Sequence, residues 1–190
     1  MNKEKKLEQL YAPLLNMTNN PLVIPGCTNI VFGEGPANAD IMIIGEAPGK
    51  DEDEQGRPFV GRSGKLLTKA LESVGLKRED VYITNIVKTR PPNNRTPSKQ
   101  EIENGRNLLL EQIKIIQPKV ICTLGACALR GLNSDTIPKP LRITKLRGST
   151  FSYNVAKLLP TLHPAYILRN PSAADLFRED LLTLKKTACI

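Results

Sequence analysis

The sequence predicts an α/β fold in which a parallel sheet is covered by helices on both faces. Three observations predict it. Four short apolar runs, Ile41–Ile44, Val81–Asn85, Val120–Leu124 and Leu158–Leu162, are bounded by turn residues and have the length of buried strands. Helical patterns lie between them, and strands that alternate with helices join as parallel neighbours. Each run is also followed or closed by a residue unusual at a strand end: Gly45-Glu46, Asn85, Gly125 and His163. Ligands of such sheets bind outside the carboxyl ends of the strands, so these positions mark one candidate site.

The elements follow in order. Residues 1–20 carry a helical pattern, Leu7, Leu10, Leu14 and Leu15, expected to break at Pro13. Asn19-Asn20-Pro21 reads as a loop, so residues 1–25 are expected to form a helix and loop packed on a single domain of residues 26–190. In the acidic cluster after Gly49, Asp51 and Glu54 read as parts of a solvated loop. Ser63–Val74 puts Leu66, Leu67, Ala70, Leu71 and Val74 on one helical face. Lys99–Ile116 is a helix opened by a capping box, Ser98 with Glu101 three residues on. Ala126–Leu132 is a short helix, and Ala173–Lys186 closes the chain.

Composition bounds the function. A chain of 190 residues fits one domain, and its 40% hydrophobic and 24% charged content is that of a globular protein. No apolar run reaches the length of a membrane span, so no membrane association is expected. The charged N-terminus lacks an apolar signal region, which leads to the expectation of a cytoplasmic protein. The net charge of +8 favours a polyanionic partner such as nucleic acid. Aromatic residues make up only 4%, with no Trp, so recognition through phosphates and one pocket fits better than a stacking platform. The four cysteines, Cys27, Cys122, Cys127 and Cys189, form no CxxC pair; Cys122 and Cys127 read as small core residues, and no metal site is expected.

Three segments carry chemistry. Gly45-Glu46-Ala47-Pro48-Gly49 is a stiff turn at a strand exit whose glycines let backbone approach a ligand. Glu46, pinned at the strand end, is a candidate functional acid. No Gly-Lys-Ser/Thr follows at phosphate-loop spacing. Lys88 to Pro97 is a proline-stiffened loop just beyond Asn85, in which Lys88, Arg90 and Arg95 offer donors to phosphates. His163 is held out of helical geometry by Pro164. After it, Leu168-Arg169-Asn170-Pro171 reads as an exposed loop, with Leu168 placed to wedge into a base stack.

Taken together these segments resemble the family 4 uracil-DNA glycosylases. The motifs are Val31-Phe32-Gly33-Glu34-Gly35, Gly45 to Gly49, Gly56-Arg57-Pro58-Phe59-Val60-Gly61, Asn85, Lys88 to Pro97, and His163-Pro164-Ala165, spread over most of the chain. The resemblance implies a three-layer α/β/α sandwich around a central four-stranded parallel sheet. It implies a monofunctional hydrolase of the N-glycosidic bond of deoxyuridine, acting as a monomer on single- or double-stranded uracil-containing DNA. By position, Gly45, Ala47, Phe59 and Asn85 would bind uracil, Phe59 by stacking and Asn85 through the Watson–Crick edge. Glu46, Glu52 and His163 would be catalytic, His163 donating to uracil O2. Lys88, Arg90, Arg95, Leu168 and Arg169 would meet DNA.

One departure is specific. The family holds a 4Fe–4S cluster on four cysteines. Here Tyr11–Pro25 has no cysteine, Thr89 stands where Lys-Cys-Arg is expected, and Gly105 stands at the position in the following helix. No cofactor is therefore expected, with ordinary packing in the cluster's place. A class related to this family traps DNA covalently with a second histidine; this chain has a single histidine, so that behaviour is not expected. Two rivals remain at this stage. One is a catalytically weak uracil- or DNA-binding module of the same fold. The other is an enzyme of free nucleotides, against which the basic loop argues.

Overall fold

The computed structural model describes residues 2–189. A five-stranded sheet runs in the order β2-β1-β3-β5-β4, with β1 Ile41–Gly45, β2 Tyr82–Asn85, β3 Val120–Leu124, β4 Phe151–Tyr153 and β5 Ala156–Thr161. The four strands expected from the sequence are mutually parallel. The sheet has five strands rather than four, because β4 pairs antiparallel with β5 at one edge. Its three residues are too few to show an alternating pattern. The turn between them needs positive φ, which Asn154 supplies at +52°.

Pleating sends successive side chains to opposite faces. Ile41, Ile43, Cys122 and Leu159 join one hydrophobic cluster, with residues of α3 (Arg62–Ser73) and α8 (Ala174–Ala188). Met42, Ile44, Ile121 and Leu158 join a second, with residues of α4 (Lys99–Ile116) and α5 (Gly125–Leu132). Both faces of the strands are thus buried, which explains their continuous apolar runs.

Helix α1, Lys3–Leu15, contains Pro13 rather than breaking there. The proline sits in the last turn, where few bonds are left to lose; Asn16 N–H then bonds to Pro13 O at 3.4 Å. The helix is fixed by buried Leu7, by Tyr11 with its ring 4.7 Å from that of Phe32, and by Lys3 Nζ donating to Ile116 O at 2.6 Å.

Asp51 and Glu54, expected in a solvated loop, lie in a helix, α2 Lys50–Gln55. It has no apolar stripe, so its period was silent. Its start places Asp51, Glu52 and Asp53 in the first turn, where the unpaired N–H groups favour negative charge. Asp53 is buried and accepts from Thr28 and Asn29 N–H. Helix α4 has the expected Ser98–Glu101 capping box. A single turn, α6 Ile143–Leu146, precedes β4. Leu168 and Arg169 lie not in a loop but in the last turn of α7, Pro164–Arg169, whose first residue is the proline that helices accept at that position.

Candidate active site

The carboxyl ends of the parallel strands open on one edge, and a cleft of about 580 Å³ lies there. Glu46, Ala47, Phe59, Asn85, His163 and Arg169 are among the residues that line it. Gly45 lies beneath, paired with Asn85 across β1 and β2.

Asn85 closes β2 and is 1% exposed. Its Oδ1 is buried without a hydrogen-bond partner among the described residues. A buried acceptor left unpaired costs about 1–3 kcal/mol, so this atom points to a ligand with a donor. Gly45 makes room for it: a Cβ there would overlap both Asn85 Oδ1 and the Phe59 ring.

Phe59 is buried and sits at φ +52°, a left-handed conformation that costs a non-glycine residue of its kind about 1–3 kcal/mol. Its surroundings hold it there. Arg78 donates from Nη1 to Phe59 O at 2.9 Å and from Nη2 to Pro58 O at 2.6 Å. Arg78 is itself paired with Glu34, which also binds Arg57. On the other side Gly64 packs so closely that any Cβ would strike the Phe59 carbonyl. The Phe59 ring is then set 6.0 Å from that of His163, centroid to centroid.

Glu52 was expected to be catalytic. Its carboxylate is instead committed to backbone: Oε2 accepts from Gly49 N–H at 3.1 Å, and Oε1 from Val60 and Gly61 N–H at 2.9 and 2.8 Å. It ties the 45–49 turn to the segment carrying Phe59 and has little capacity left for water. Glu52 itself lines the cleft, as does Glu46. Burial raises the Glu46 pKa above the ordinary glutamate value, against the opposing effects of the Cys127 thiol and Arg130.

His163 caps α7. Its Nδ1 accepts from Ala165 N–H at 3.0 Å, so Nδ1 carries no proton and the neutral ring bears its proton on Nε2. Burial first, and the charge of Arg169 second, push its pKa down to about 4. At neutral pH it is therefore an uncharged donor.

The expected DNA contacts divide. Lys88 is fully buried, and its ammonium donates to Thr84 Oγ1 and Gln112 Oε1, each at 2.7 Å, and to Phe32 O at 3.4 Å. It is withdrawn from the DNA-facing set, because no phosphate can reach it; burial also pushes its pKa well down. Arg95 lines the cleft but is held bidentate by Glu101 at 2.8 and 2.7 Å. Arg90 donates to Asn94 Oδ1 at 2.7 Å. Arg169 lines the cleft, and Leu168 is 37% exposed rather than packed in the core. The sequence reading missed the roles of Arg78 and Gly64, because neither lies in a strand-end motif; Arg78 acts on a carbonyl 19 positions away, and Gly64 acts through a close approach to the Phe59 carbonyl that only the folded turn creates.

Comparisons with known proteins point to one family. The model of the uracil DNA glycosylase superfamily matches residues 32–185. The chain is 51% identical to a type-4 uracil-DNA glycosylase of Thermotoga maritima, over 90% of this chain and 87% of that protein. It is 44% identical to a type-4 uracil-DNA glycosylase of Sulfurisphaera tokodaii, over 85% of this chain and 76% of that protein. A type-4 uracil-DNA glycosylase of Saccharolobus solfataricus is 47% identical over 83% and 76%. With its cleft at the sheet's carboxyl edge and these matches over most of its length, the chain belongs to the uracil-DNA glycosylase superfamily.

Proposed function

We propose that this protein is a DNA-repair glycosylase that hydrolyses the N-glycosidic bond of deoxyuridine in DNA, releasing uracil and leaving an abasic site. The observation that carries this reading is the unpaired, buried Oδ1 of Asn85 in a cleft walled by an aromatic ring and a neutral imidazole. Uracil offers N3–H to that acceptor and O4 to the amide's donors, whereas cytosine presents the reverse pattern. A base inside a duplex is out of reach, so the nucleotide is flipped out at a cost of a few kcal/mol. Phe59 offers the flipped ring a stacking face.

Bond breaking leaves an oxocarbenium-like sugar and an anionic uracil. His163 Nε2–H, fixed by the Nδ1 cap, donates to O2 as its charge develops; a preorganised donor of this kind contributes about 3–4 kcal/mol. Glu46, ionised above its raised pKa, orients the water and stabilises the cationic sugar, as carboxylates do in glycoside hydrolysis. Leu168, exposed at the end of α7, fills the gap left in the stack, and Arg169 meets a phosphate beside the flipped nucleotide. The test is alkaline cleavage of a labelled single-uracil strand after incubation, beside an Asn85→Ala control. Uracil-dependent cleavage is expected on single- and double-stranded DNA. No product above the control on either would overturn the reading.

The same reading includes no iron–sulfur cluster. Two observations support it. Thr89 Oγ1 is already used, donating to Leu22 O at 2.5 Å and accepting from Ile24 N–H at 3.2 Å. Gly105 has no room for a ligating side chain, since a Cβ there would overlap Ile86 O. The residues present therefore do not fit the group. Anaerobically purified protein is expected to be colourless, and stoichiometric iron with a visible iron–sulfur band would refute this.

A further inference from the structure

The cations near the cleft are unequally partnered. Arg57 and Arg78 are engaged by Glu34, and Arg95 by Glu101. Arg169 on one side has no ion-pair or hydrogen-bond partner among the described residues, and it lines the cleft. On the other side a second groove, of about 390 Å³, runs between α4 and α5. Thr96 belongs to the walls of both cavities, so the groove continues from the cleft. Lys99, Arg106 and Arg130 line it against a single acid, Glu103. Arg106 Nε is buried and has no hydrogen-bond partner among the described residues. Arg130 is exposed and makes no ion pair among the described residues. Two guanidinium groups without an ion pair among the described residues, one with an orphaned buried donor, face one groove and make a site for an anion, and Arg130 also lies near enough to Glu46 to oppose the rise in its pKa.

We propose that the groove between α4 and α5 holds a backbone phosphate of the uracil-containing strand, with Arg106 and Arg130 as its donors. The inference rests on the glycosylase reading above and adds a direction to it. The strand crosses the cleft from Arg169 to Arg106 and Arg130, with the flipped uridine between them. Lys99 contributes longer-range attraction at the groove's outer end. A phosphodiester fits where a carboxylate-bearing partner does not: the strand is already tethered at the neighbouring pocket, and each nucleotide brings one negative charge to the groove. Phosphate contacts of this type fix register without reading sequence.

The experiment replaces one phosphate at a time by a neutral methylphosphonate along a single-uracil oligonucleotide. Binding is measured by fluorescence anisotropy and uracil release in single turnover, for the wild type and for Arg106→Gln, Arg130→Gln and the double variant. The wild type is expected to lose about tenfold in affinity at one position on one side of the uridine, the value of a charge-assisted bond. The double variant is expected to show no further loss at that position while keeping the ordinary loss elsewhere. Its log–log salt dependence should flatten by about 0.7 for each single-strand phosphate contact removed. Equal losses at every position in both proteins, or an unchanged salt slope, would overturn the proposal. Arg130 is exposed, so Arg130→Gln tests the site even if Arg106→Gln compromises folding. Absence of uracil release would count against the glycosylase reading alone, because binding and its phosphate map are scored independently.

Discussion

Arg78 reaches across from the turn before β2 to hold Phe59 by its backbone, 2.9 Å from guanidinium to carbonyl oxygen. The same guanidinium bonds Pro58 O. One side chain therefore fixes two successive carbonyls and, through them, the left-handed conformation that aims the ring into the cleft. Replacing Arg78 by Lys removes the fork, because an ammonium cannot span both acceptors in one plane. Arg78→Lys is expected to lose about tenfold in kcat/KM, mostly in kcat, from 1–3 kcal/mol of strain no longer supported. Steady-state kinetics on a uracil oligonucleotide checks this, and unchanged constants would show that Phe59 needs no such support.

The two acids are expected to fail differently. Glu52→Gln can keep an oxygen for Val60 and Gly61 N–H but turns an amide donor onto Gly49 N–H, which now bonds a carboxylate oxygen. It should destabilise the fold by about 2 kcal/mol, a fall in Tm of about 4–8 °C for a chain of this size. Glu46→Gln should lower Tm by less than Glu52→Gln does, since the bond it alters is the weak one from the Cys127 thiol, and cut kcat. Calorimetry and single-turnover rates on the two variants separate the roles. A thermally normal Glu52→Gln would contradict the scaffold assignment.

The pH profile follows from the same groups. Burial raises the Glu46 pKa, so its carboxylate forms only above the usual glutamate range, and activity rises with pH through that value. His163 is neutral above about 4, which places its protonation on the more acid side. The acid limb of kcat/KM is therefore assigned to Glu46. In Glu46→Gln the residual activity should keep a limb only near the His163 value. A wild-type profile flat down to pH 4 would remove Glu46 from the mechanism.

Lys88 is expected to be a stability residue. Lys88→Ala strips the donor from Thr84, Gln112 and Phe32 O in a sealed space and leaves a cavity. A cost of about 3 kcal/mol follows from unpaired polar groups and lost packing. The salt dependence of DNA binding should not move, because no phosphate contact is lost. Denaturant unfolding and a salt titration of affinity measure the two. A flattened salt slope in the variant would restore Lys88 to the interface.

The parts legible in the sequence were those that local order encodes. Asn85, Gly45 and His163 stood out because a strand's end is a short-range feature, and the parallel sheet carried all three to one edge. Lys88 was misread for the opposite reason. Its burial depends on Gln112 and Phe32, 24 and 56 positions away, while its own neighbours resemble a basic loop. Helix α2 stayed hidden because caps and the Asp53 anchor to Thr28 and Asn29 stabilise it, without any apolar stripe. Strand β4 was missed because three residues paired to an edge carry too little pattern.

The imidazole of His163 has a duty on Nδ1, which secures the first turn of α7, and in the proposed reaction a second on Nε2, as donor to the leaving base. Protonating Nδ1 would abolish its capacity to accept, and with it the tether of the helix that presents Leu168 and Arg169. Acidification thus acts as an interlock. Below about pH 4 the first turn of α7 would lose this tether at the same step at which the ring ceases to be an uncharged donor.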